Sequence, residues 1–424
     1  MLSFLNNFNQ FIFVLITAMY CYQLVYVVIA LLGKKKKEQE EPSRLHKFAV
    51  IIAARNERAV IGELIKSIRR QKYPRELIDI FVVADNCTDD TAEVSRREGA
   101  YVYERFNKQY VGKGYALDYI FNIIHNHHRD AHYEGYFIFD ADNLIDENYV
   151  AEMNKTFDRG YRIITSYRNS KNFGTNWISA GYSLWFLREA KFLNNPRMML
   201  NSSCAVSGTG FLVAASIIEK QQGWKYHLLT EDIEFSVASV IKGEKIGYCE
   251  TARIYDEQPT TFKQSWNQRM RWSKGFYQVV AKYGGKLITS MFRPQCHFLS
   301  CYDMFMTIAP AMFITLFSIL VNGSLLALCA IDPSYMMRRV MHVASYSVFF
   351  SFANFYLVLF MFGLLTTITE WKQINATVFQ KIKSVFTFPL FMFTYVPIAL
   401  AALFQKVEWK PITHSVVKSL DEVR

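Results

Sequence analysis

Residues 136–142 read Tyr-Phe-Ile-Phe-Asp-Ala-Asp, and this short stretch is the strongest indication of how the chain folds. Four apolar residues in a row are typical of a strand that is covered on both faces. The two aspartates follow where such a strand ends. Two upstream stretches have the same form, because residues 48–54 are apolar and precede Arg55-Asn56-Glu57, and residues 80–84 are apolar and precede Asp85-Asn86.

Helical patterns separate these runs. Between the apolar runs at residues 48–54 and 80–84, apolar residues recur at helical spacing: Val60, Leu64, Ile65 and Ile68. Alternating strands and helices predict an α/β fold with a doubly wound, mostly parallel sheet. The carboxyl ends of parallel strands meet at one edge, where ligands bind. Asp and Asn also cap helices and form turns, but three such clusters on one edge favour a binding crevice.

Strongly apolar segments lie at both ends of the chain. Residues 11–32 carry no charge, and roughly 20 apolar residues are enough for a membrane-spanning helix. Cleavage as a signal peptide is disfavoured, because Lys34–Lys37 follow the apolar run rather than precede it. The same lysines place the following residues in the cytoplasm.

Two further apolar stretches, residues 303–331 and 340–368, predict a transmembrane hairpin. Residues 385–404 are apolar but contain Pro389 and Pro397, which remove backbone donors. A full crossing there would put the lysine-bearing tail outside, against the positive-inside tendency. We therefore expect a broken or re-entrant segment, with a full span as the alternative.

These patterns divide the chain into six parts. They are an N-terminal transmembrane helix (1–33), a polar linker (34–45), a cytoplasmic catalytic domain (46–257), amphipathic interfacial helices (258–295), a C-terminal transmembrane region (296–405) and a polar tail (406–424). The expected location is the cell membrane, with several passes.

The net charge of +11 does not indicate a nucleic-acid partner, because the basic residues flank membrane segments instead of forming one stripe with aromatic stacking positions. Attraction to anionic membrane lipids accounts for it. Seven cysteines without a Cys-x-x-Cys pair fit a reduced cytoplasmic domain and exclude a disulfide framework or a zinc site.

Asp140 and Asp142 can give two hard oxygen ligands to Mg²⁺ or Mn²⁺ and leave positions open for phosphate oxygens. Such an ion stabilises a nucleotide diphosphate leaving group. Gly112-Lys113-Gly114 lacks the remaining residues of an NTPase phosphate loop. Lys113 is a candidate donor contact, although a lysine between glycines is also typical of a solvated turn.

Thr230-Glu231-Asp232 precedes a run with helical spacing, so Thr230 is expected to cap a helix. Acidic residues in a first turn are favourable for electrostatic reasons alone. The functional interpretation makes Asp232, with Glu231 beside it, a general base that takes a proton from an acceptor hydroxyl.

Residues 261–282 are amphipathic, with Lys263, Arg269 and Lys274 expected on a basic side at the membrane interface. Gln268, Arg271 and Trp272 share one helical face. Arg271 can pair with diphosphate oxygens, and the Trp272 indole can stack on a sugar ring.

Taken in order, the Asp85, Asp140-Ala141-Asp142, Thr230-Glu231-Asp232 and Gln268-x-x-Arg271-Trp272 motifs resemble those of membrane-integrated processive glycosyltransferases of family 2. This group contains the cellulose, hyaluronan and poly-N-acetylglucosamine synthases. The resemblance covers roughly residues 46–275 and the flanking helices. It implies a GT-A fold, inversion at the anomeric carbon, a UDP-sugar donor and a growing glycan or lipid as acceptor.

The resemblance also assigns roles to residues. The catalytic residues are Asp232 and Glu231, and the metal ligands are Asp140 and Asp142. The expected donor-binding residues are Asn56, Glu57, Asp85, Lys113, Asp140, Asp142, Gln268, Arg271 and Trp272, and the expected acceptor-binding residues are Ser207, Gly208, Thr209, Gly210 and Trp272.

Three functions remain to be weighed. The first is synthesis and secretion of a β-linked polysaccharide. The absence of an appended regulatory barrel and of an evident gating loop, with few spans, leaves open transfer of a single sugar to a lipid, as in ceramide glucosyltransferases. A non-catalytic subunit with a degenerate domain is opposed by the intact motifs.

Overall fold

The computed structural model describes residues 2–33, 41–331, 334–412 and 414–423. Its core is one eight-stranded sheet in the order β3-β2-β1-β4-β7-β6-β8-β5. The strands are β1 Phe48–Ala54, β2 Ile78–Asp85, β3 Tyr101–Arg105, β4 Gly135–Asp140, β5 Leu144–Ile145, β6 Ile163–Ser170, β7 Phe211–Ala214 and β8 Ile246–Asp256.

The first half of the sheet is parallel. Strand β1 pairs in parallel with both β2 and β4, and β2 pairs in parallel with β3. Strand β6 is also parallel to β8, whereas β7 is antiparallel to both of its neighbours and β5 is antiparallel to β8. The predicted α/β fold with a mostly parallel sheet is confirmed.

The register brings the ends of the central strands level. Ala53 of β1 lies opposite Asp140 of β4, and Ala54 lies opposite Ala84 of β2. The residues that follow these positions therefore emerge at one edge of the sheet, as the apolar runs predict. Strands β1 and β4 are almost entirely buried because helices cover both of their faces.

The helices of the sheet-bearing half are α3 Ile61–Arg69, α4 Thr91–Arg97, α5 Lys113–His127, α6 Tyr149–Asp158, α7 Trp177–Glu189, α8 Asn195–Met199, α9 Ala215–Lys220 and α10 Glu231–Ile241. The 29-residue helix α11, Phe262–Ser290, follows strand β8. The remaining helices are α1 Leu2–Tyr20, α2 Tyr22–Leu32, α12 Phe298–Ile308, α13 Pro310–Ile331, α14 Tyr335–Thr369, α15 Val378–Phe393 and α16 Tyr395–Phe404.

Among the described residues, three helical segments are long and apolar enough to span a membrane: Ser3–Leu32, Met337–Thr369 and Val378–Phe404. A fourth candidate is the pair formed by α12 and α13, which meet at a bend of 41°. The sequence predicted a single stretch for this pair. Helix α12 ends before Ala309, and the next residue in the sequence is a proline, a residue type that has no backbone N–H to donate. Lys34–Lys37 and the turn residues Asp332 and Pro333 lie outside the described residues.

Helices α15 and α16 form the segment for which a break was predicted. The helix is interrupted at Thr394, not at either proline. Pro389 lies inside α15, and Pro397 lies in the first turn of α16. Backbone N–H groups in a first turn make no hydrogen bond within the helix, so a proline there removes none. The segment packs on the sheet-bearing half, because the Phe391 ring fills the space beside Gly181 of α7.

A buried ion pair joins the apolar helices to the sheet-bearing half. Arg197 of α8 donates to both carboxylate oxygens of Asp303 in α12, at 2.6 and 2.8 Å. Tyr22 and Tyr26 of α2 donate to the same carboxylate at 2.9 and 2.8 Å. One aspartate therefore ties α2, α8 and α12 together at this junction.

Candidate active site

Two clusters of polar residues lie where β1 and β2 end. Asn56 adopts a left-handed conformation (φ 59°), which asparagine tolerates better than most residues. Its side-chain oxygen accepts from the Thr88 N–H at 2.7 Å, so it holds the turn after β2. Asp85 is buried and pairs with the Arg105 guanidinium at 2.5 Å. That guanidinium also donates to the Tyr110 carbonyl, so Asp85 organises the loop before Lys113.

The end of β4 contacts the start of α5 and the loop before β7. Lys113 Nζ donates to Asp140 Oδ1 at 2.5 Å and to the Gly208 carbonyl at 2.7 Å. Gly208 has a φ of 81°, a conformation that glycine adopts readily. A β-carbon at Gly208 would lie 3.7 Å from Asp232 Oδ2. Lys113, Asp140 and Asp232, which are far apart in sequence, therefore meet around Gly208.

Asp142 is buried beside this cluster. One of its oxygens accepts from the Glu257 N–H at 2.8 Å. Burial alone raises the pKa of a carboxyl, but the positive charges of His414 and Lys171, together with the Glu257 N–H, outweigh burial and hold the pKa of Asp142 below its ordinary value. Asp142 is therefore an anion at neutral pH.

Asp140 and Asp142 have the ligand chemistry that a divalent cation prefers. Lys113 donates to Asp140 Oδ1, whereas Asp140 Oδ2 accepts no hydrogen bond from the residues that the structure describes. Asp140 Oδ2 is therefore available as a ligand to a cation. Over the described ranges, no group of three or more His, Cys, Asp or Glu side chains is arranged for a metal. The two aspartates have the oxygen-ligand chemistry of a partial divalent-cation site, to which phosphate oxygens would add further ligands.

The Thr230-Glu231-Asp232 motif lies at the start of α10. Burial raises the pKa of Glu231 to about 7, and the charge of Asp232 raises it as well, while Lys113 and Arg271 oppose the shift. Burial also raises the pKa of Asp232, again against Lys113 and Arg271. A raised pKa suits a group that accepts a proton near neutral pH.

Thr230 occupies the N-cap position, but its side chain makes no capping hydrogen bond, so that part of the prediction is wrong. The reason is the close approach of α11. A β-carbon at Gly275 would lie 2.5 Å from both Thr230 Oγ1 and Thr230 Cγ2. Packing against Gly275 fixes the threonine and brings α11 directly beside Glu231 and Asp232.

Helix α11 brings Arg271 and Trp272 to the cluster. Arg271 is close enough to Glu231 and Asp232 to lower the pKa of both carboxyls. The Trp272 ring makes edge contacts with Tyr182 and Phe186 of α7, with ring centres 5.7 and 6.3 Å apart. Gln268, one turn earlier, has an enclosed Oε1 atom without a hydrogen-bond partner among the described residues.

Arg269 was expected on the basic, interface-facing side of α11, and this prediction is wrong. It is fully buried. Its guanidinium donates to the Phe391 carbonyl at 3.0 Å and to Thr394 Oγ1 at 2.6 Å, and it packs against the rings of Phe391 and Tyr395. The physical reason is that α15 and α16 cover this side of α11, so the arginine satisfies backbone groups at the helix break.

The predicted acceptor loop runs beside the end of β4. Ser207 Oγ donates to the Glu189 carboxylate at 3.2 Å. Thr209 Oγ1 accepts from the Asp140 N–H at 2.8 Å and donates to the Asn143 side chain. Gly210 has a φ of 64°, and its carbonyl accepts from Tyr149 and Ser166. This loop therefore fixes the backbone from which Asp140 projects.

Sequence reasoning missed several charged residues around the site. Arg168 pairs with buried Asp256, whose pKa burial raises to about 6 despite this pairing. Lys171 is buried near Asp142, and burial lowers its pKa. His414 of the C-terminal tail contacts Glu57. None of these residues belongs to a short sequence motif, because each reaches the site from a distant part of the chain.

Several known proteins are similar to this chain in sequence. The probable glycosyltransferase YdaM of Bacillus subtilis (strain 168) is 26% identical over 58% of this chain and 59% of its own length. The beta-monoglucosyldiacylglycerol synthase of Nostoc sp. (strain PCC 7120 / SAG 25.82 / UTEX 2576) is 26% identical over 58% of this chain and 52% of its own length. The poly-beta-1,6-N-acetyl-D-glucosamine synthase of Staphylococcus epidermidis is 22% identical over 58% of each.

The chain thus spans between about half and three-fifths of the length of these relatives. Among solved structures, the mannosyltransferase PcManGT from Pyrobaculum calidifontis in complex with GDP-Man and Mn²⁺ is 18% identical, with 80% of this chain and 96% of that chain covered and a TM-score of 0.49. Residues 46–275, more than half of the chain, match the family described as glycosyltransferase like family 2. The chain therefore belongs to glycosyltransferase family 2.

Proposed function

We propose that this enzyme transfers a sugar from a UDP-sugar to an acceptor hydroxyl, with inversion at the anomeric carbon. The observation that carries the proposal is the meeting of Asp232 with the Lys113–Asp140 pair across Gly208. In this proposal one crevice at the end of the parallel strands is bordered by three kinds of group. They are the proton acceptor Asp232, the phosphate-binding Lys113 and the metal-binding carboxylates of Asp140 and Asp142.

In this mechanism Asp232 accepts the proton of the acceptor hydroxyl as the oxygen attacks the sugar. Burial raises the pKa of Asp232, and it raises the pKa of Glu231 to about 7. A general base works best when its pKa lies near the working pH, so these shifts suit proton transfer near neutral pH. Lys113 and Arg271 offset the negative charge that develops on the departing diphosphate. Trp272 borders the acceptor, where an indole face suits a sugar ring.

Asp140 and Asp142 would hold Mg²⁺ or Mn²⁺ through their carboxylate oxygens. When bound, the ion supplies Lewis-acid stabilisation to the diphosphate. Glu57 and Asp85 lie at the neighbouring strand ends, on the side where the nucleoside would bind. Burial raises the pKa of Glu57 to about 7, against the effect of His414.

The product we favour is a β-linked polysaccharide that the enzyme passes across the cell membrane. Support comes from the aromatic packing around Trp272. The Tyr182 ring contacts Trp272 on one side and Phe391 of α15 on the other, with ring centres 5.7 and 4.9 Å apart. The proposed acceptor side of the site thus borders α15, which is part of the apolar segment Val378–Phe404 that is long enough to cross a membrane.

Transfer of one sugar to a lipid is the second candidate. It is favoured by the similarity to a beta-monoglucosyldiacylglycerol synthase, which at 26% is as identical to this chain as YdaM is and more identical than the poly-beta-1,6-N-acetyl-D-glucosamine synthase at 22%. The same apolar border beside Trp272 suits a lipid acceptor. Both candidates use the same donor site and the same base.

Incubation of the purified, detergent-solubilised enzyme with labelled UDP-sugars separates the two products. A polymer appears as label of high molecular mass that remains in the aqueous phase. A glycolipid appears as label that organic solvent extracts. Absence of polymer with extractable label would replace the first candidate by the second, and absence of transfer from any UDP-sugar would contradict both.

A further inference from the structure

The chain that follows α16 returns to the candidate active site. We call residues 405–423 the C-terminal strap; the structure describes all of them except residue 413. The sequence presented this segment only as a polar tail. In the structure it crosses the carboxyl ends of β1 and β4 and contacts both rims of the crevice.

One part of the strap is anchored beside Asp142. The N–H groups of Ser415 and Val416 donate to the Glu257 carboxylate at 2.9–3.1 Å. The N–H of the same Glu257 donates to Asp142. The strap is therefore connected to a proposed metal ligand through a single residue.

An apolar anchor lies further along the strap. Leu420 and Val423 are buried against Leu144 and Tyr255, which form the β5–β8 pair that follows the Asp-x-Asp turn. Asn375 also donates to the Glu422 carbonyl at 3.2 Å. Four buried apolar side chains and backbone hydrogen bonds are features of a docked segment, not of a loose end.

His414 lies between carboxylates of the crevice. Its Nδ1 is 2.9 Å from Glu57 Oε1 and 3.0 Å from Oε2. Burial disfavours the charged imidazole, but Asp142 and Glu57 outweigh burial and raise the pKa of His414 to about 10. His414 thus supplies a positive charge near both Glu57 and Asp142.

Trp409 reaches the opposite rim. Its ring lies 5.4 Å from the Arg55 guanidinium and within 3.8 Å of the β-carbon position of Gly112, the residue before Lys113. Its Nε1 atom is enclosed and has no hydrogen-bond partner in the part of the chain that the structure describes. A buried donor of this kind calls for an acceptor, and a nucleotide bound beside Glu57 offers several.

We propose that the C-terminal strap is a permanent wall of the donor site, in which Trp409 contacts the nucleotide and His414 is a positioning residue that holds Glu57. This inference rests on the proposed function, because it requires that a nucleotide sugar binds in this crevice. The anchors argue against a strap that leaves on each turnover, since they pack on the β5–β8 pair that directly follows the Asp-x-Asp turn.

Binding of UDP to the full-length, detergent-solubilised enzyme by calorimetry tests the proposal. Trp409→Ala and His414→Ala remove the proposed contacts, and Leu420→Asp undocks the strap without touching the crevice. We expect each to weaken UDP binding by about tenfold, with KM for the donor raised in parallel and kcat at saturating donor nearly unchanged. His125→Ala, at an exposed position of α5, is the matched control and retains wild-type binding.

The outcomes are distinct. Tighter UDP binding by Leu420→Asp would mean that the strap competes with the donor, and unchanged binding in all three variants would mean that it lies outside the site; either result overturns the proposal. Failure of the wild-type enzyme to bind UDP, or to transfer from any UDP-sugar, would contradict the proposed function as well.

Discussion

Asp232 is the side chain on which the proposed chemistry depends. It is close to Gly208, and Lys113 and Arg271 act on its charge. Because removal of a base spares the ground-state contacts, Asp232→Asn should lower kcat by roughly 10²–10⁴-fold while UDP affinity is retained. Steady-state kinetics and calorimetry measure the two quantities, and Asp130→Asn at an exposed position is the control. Turnover close to wild type would remove Asp232 from the mechanism.

The same carboxyls predict a pH dependence. Burial raises the pKa of Asp232, and it raises the pKa of Glu231 to about 7. Because the base must be ionised to accept a proton, kcat should rise as the pH increases through these pKa values. The positive charge of Lys113 lowers both pKa values. In Lys113→Gln the acid limb of the kcat profile should therefore move to higher pH.

Lys225→Gln, at an exposed position, controls for a general loss of positive charge. An acid limb that stays in place in Lys113→Gln, or moves to lower pH, would contradict the assignment of that limb to the carboxyl pair.

Helix α11 sets the position of Arg271 and Trp272 through its contact with Thr230. A methyl group at Gly275 would meet Thr230 at 2.5 Å, so Gly275→Ala should cost about 1–3 kcal/mol in stability from overpacking and should also lower kcat. Gly285→Ala is the matched control, because its β-carbon meets nothing within 4 Å. Since alanine favours helix over glycine by about 1 kcal/mol, this control should be as stable as wild type or more so.

Thermal unfolding in detergent and turnover measure the two effects. If Gly275→Ala and Gly285→Ala behave alike, close packing of α11 on Thr230 is not what positions its catalytic face.

The junction of α2, α8 and α12 depends on a single carboxylate. Asp303→Asn would leave the buried Arg197 guanidinium without its counter-charge, and we expect a loss of about 3–5 kcal/mol. The double variant Arg197→Met/Asp303→Leu should recover much of this loss, because no buried charge remains unpaired. A double-mutant cycle by thermal unfolding tests this expectation, and equal destabilisation of single and double variants would contradict it.

The strands and most helices could be predicted from the sequence because their signals are local. The apolar run at residues 48–54 matches β1, and Val60 to Ile68 match α3 within one residue. The position of Arg269 could not be predicted, since the amphipathic pattern of α11 carries no information about α15, which covers it. His414 and Glu57 meet across 357 positions, a contact that no local periodicity reports.

Considered as a whole, the molecule places a sheet-edge crevice beside helices that are apolar enough to enter a membrane. The strand ends, α10 and α11 each supply part of the proposed donor site, and α15 adjoins its acceptor side. On the proposed function, this arrangement gives a reason for the apolar helices that flank the sheet-bearing half: they would place the acceptor side of the site next to a bilayer.

The most direct test is a cryo-electron microscopy structure of the full-length enzyme with UDP and Mg²⁺. The account predicts a diphosphate bound between Lys113 and the carboxylates of Asp140 and Asp142, with the Asp232 carboxylate facing the space beside it. A nucleotide bound elsewhere, or an Asp232 side chain beyond reach of any sugar attached to that diphosphate, would contradict it.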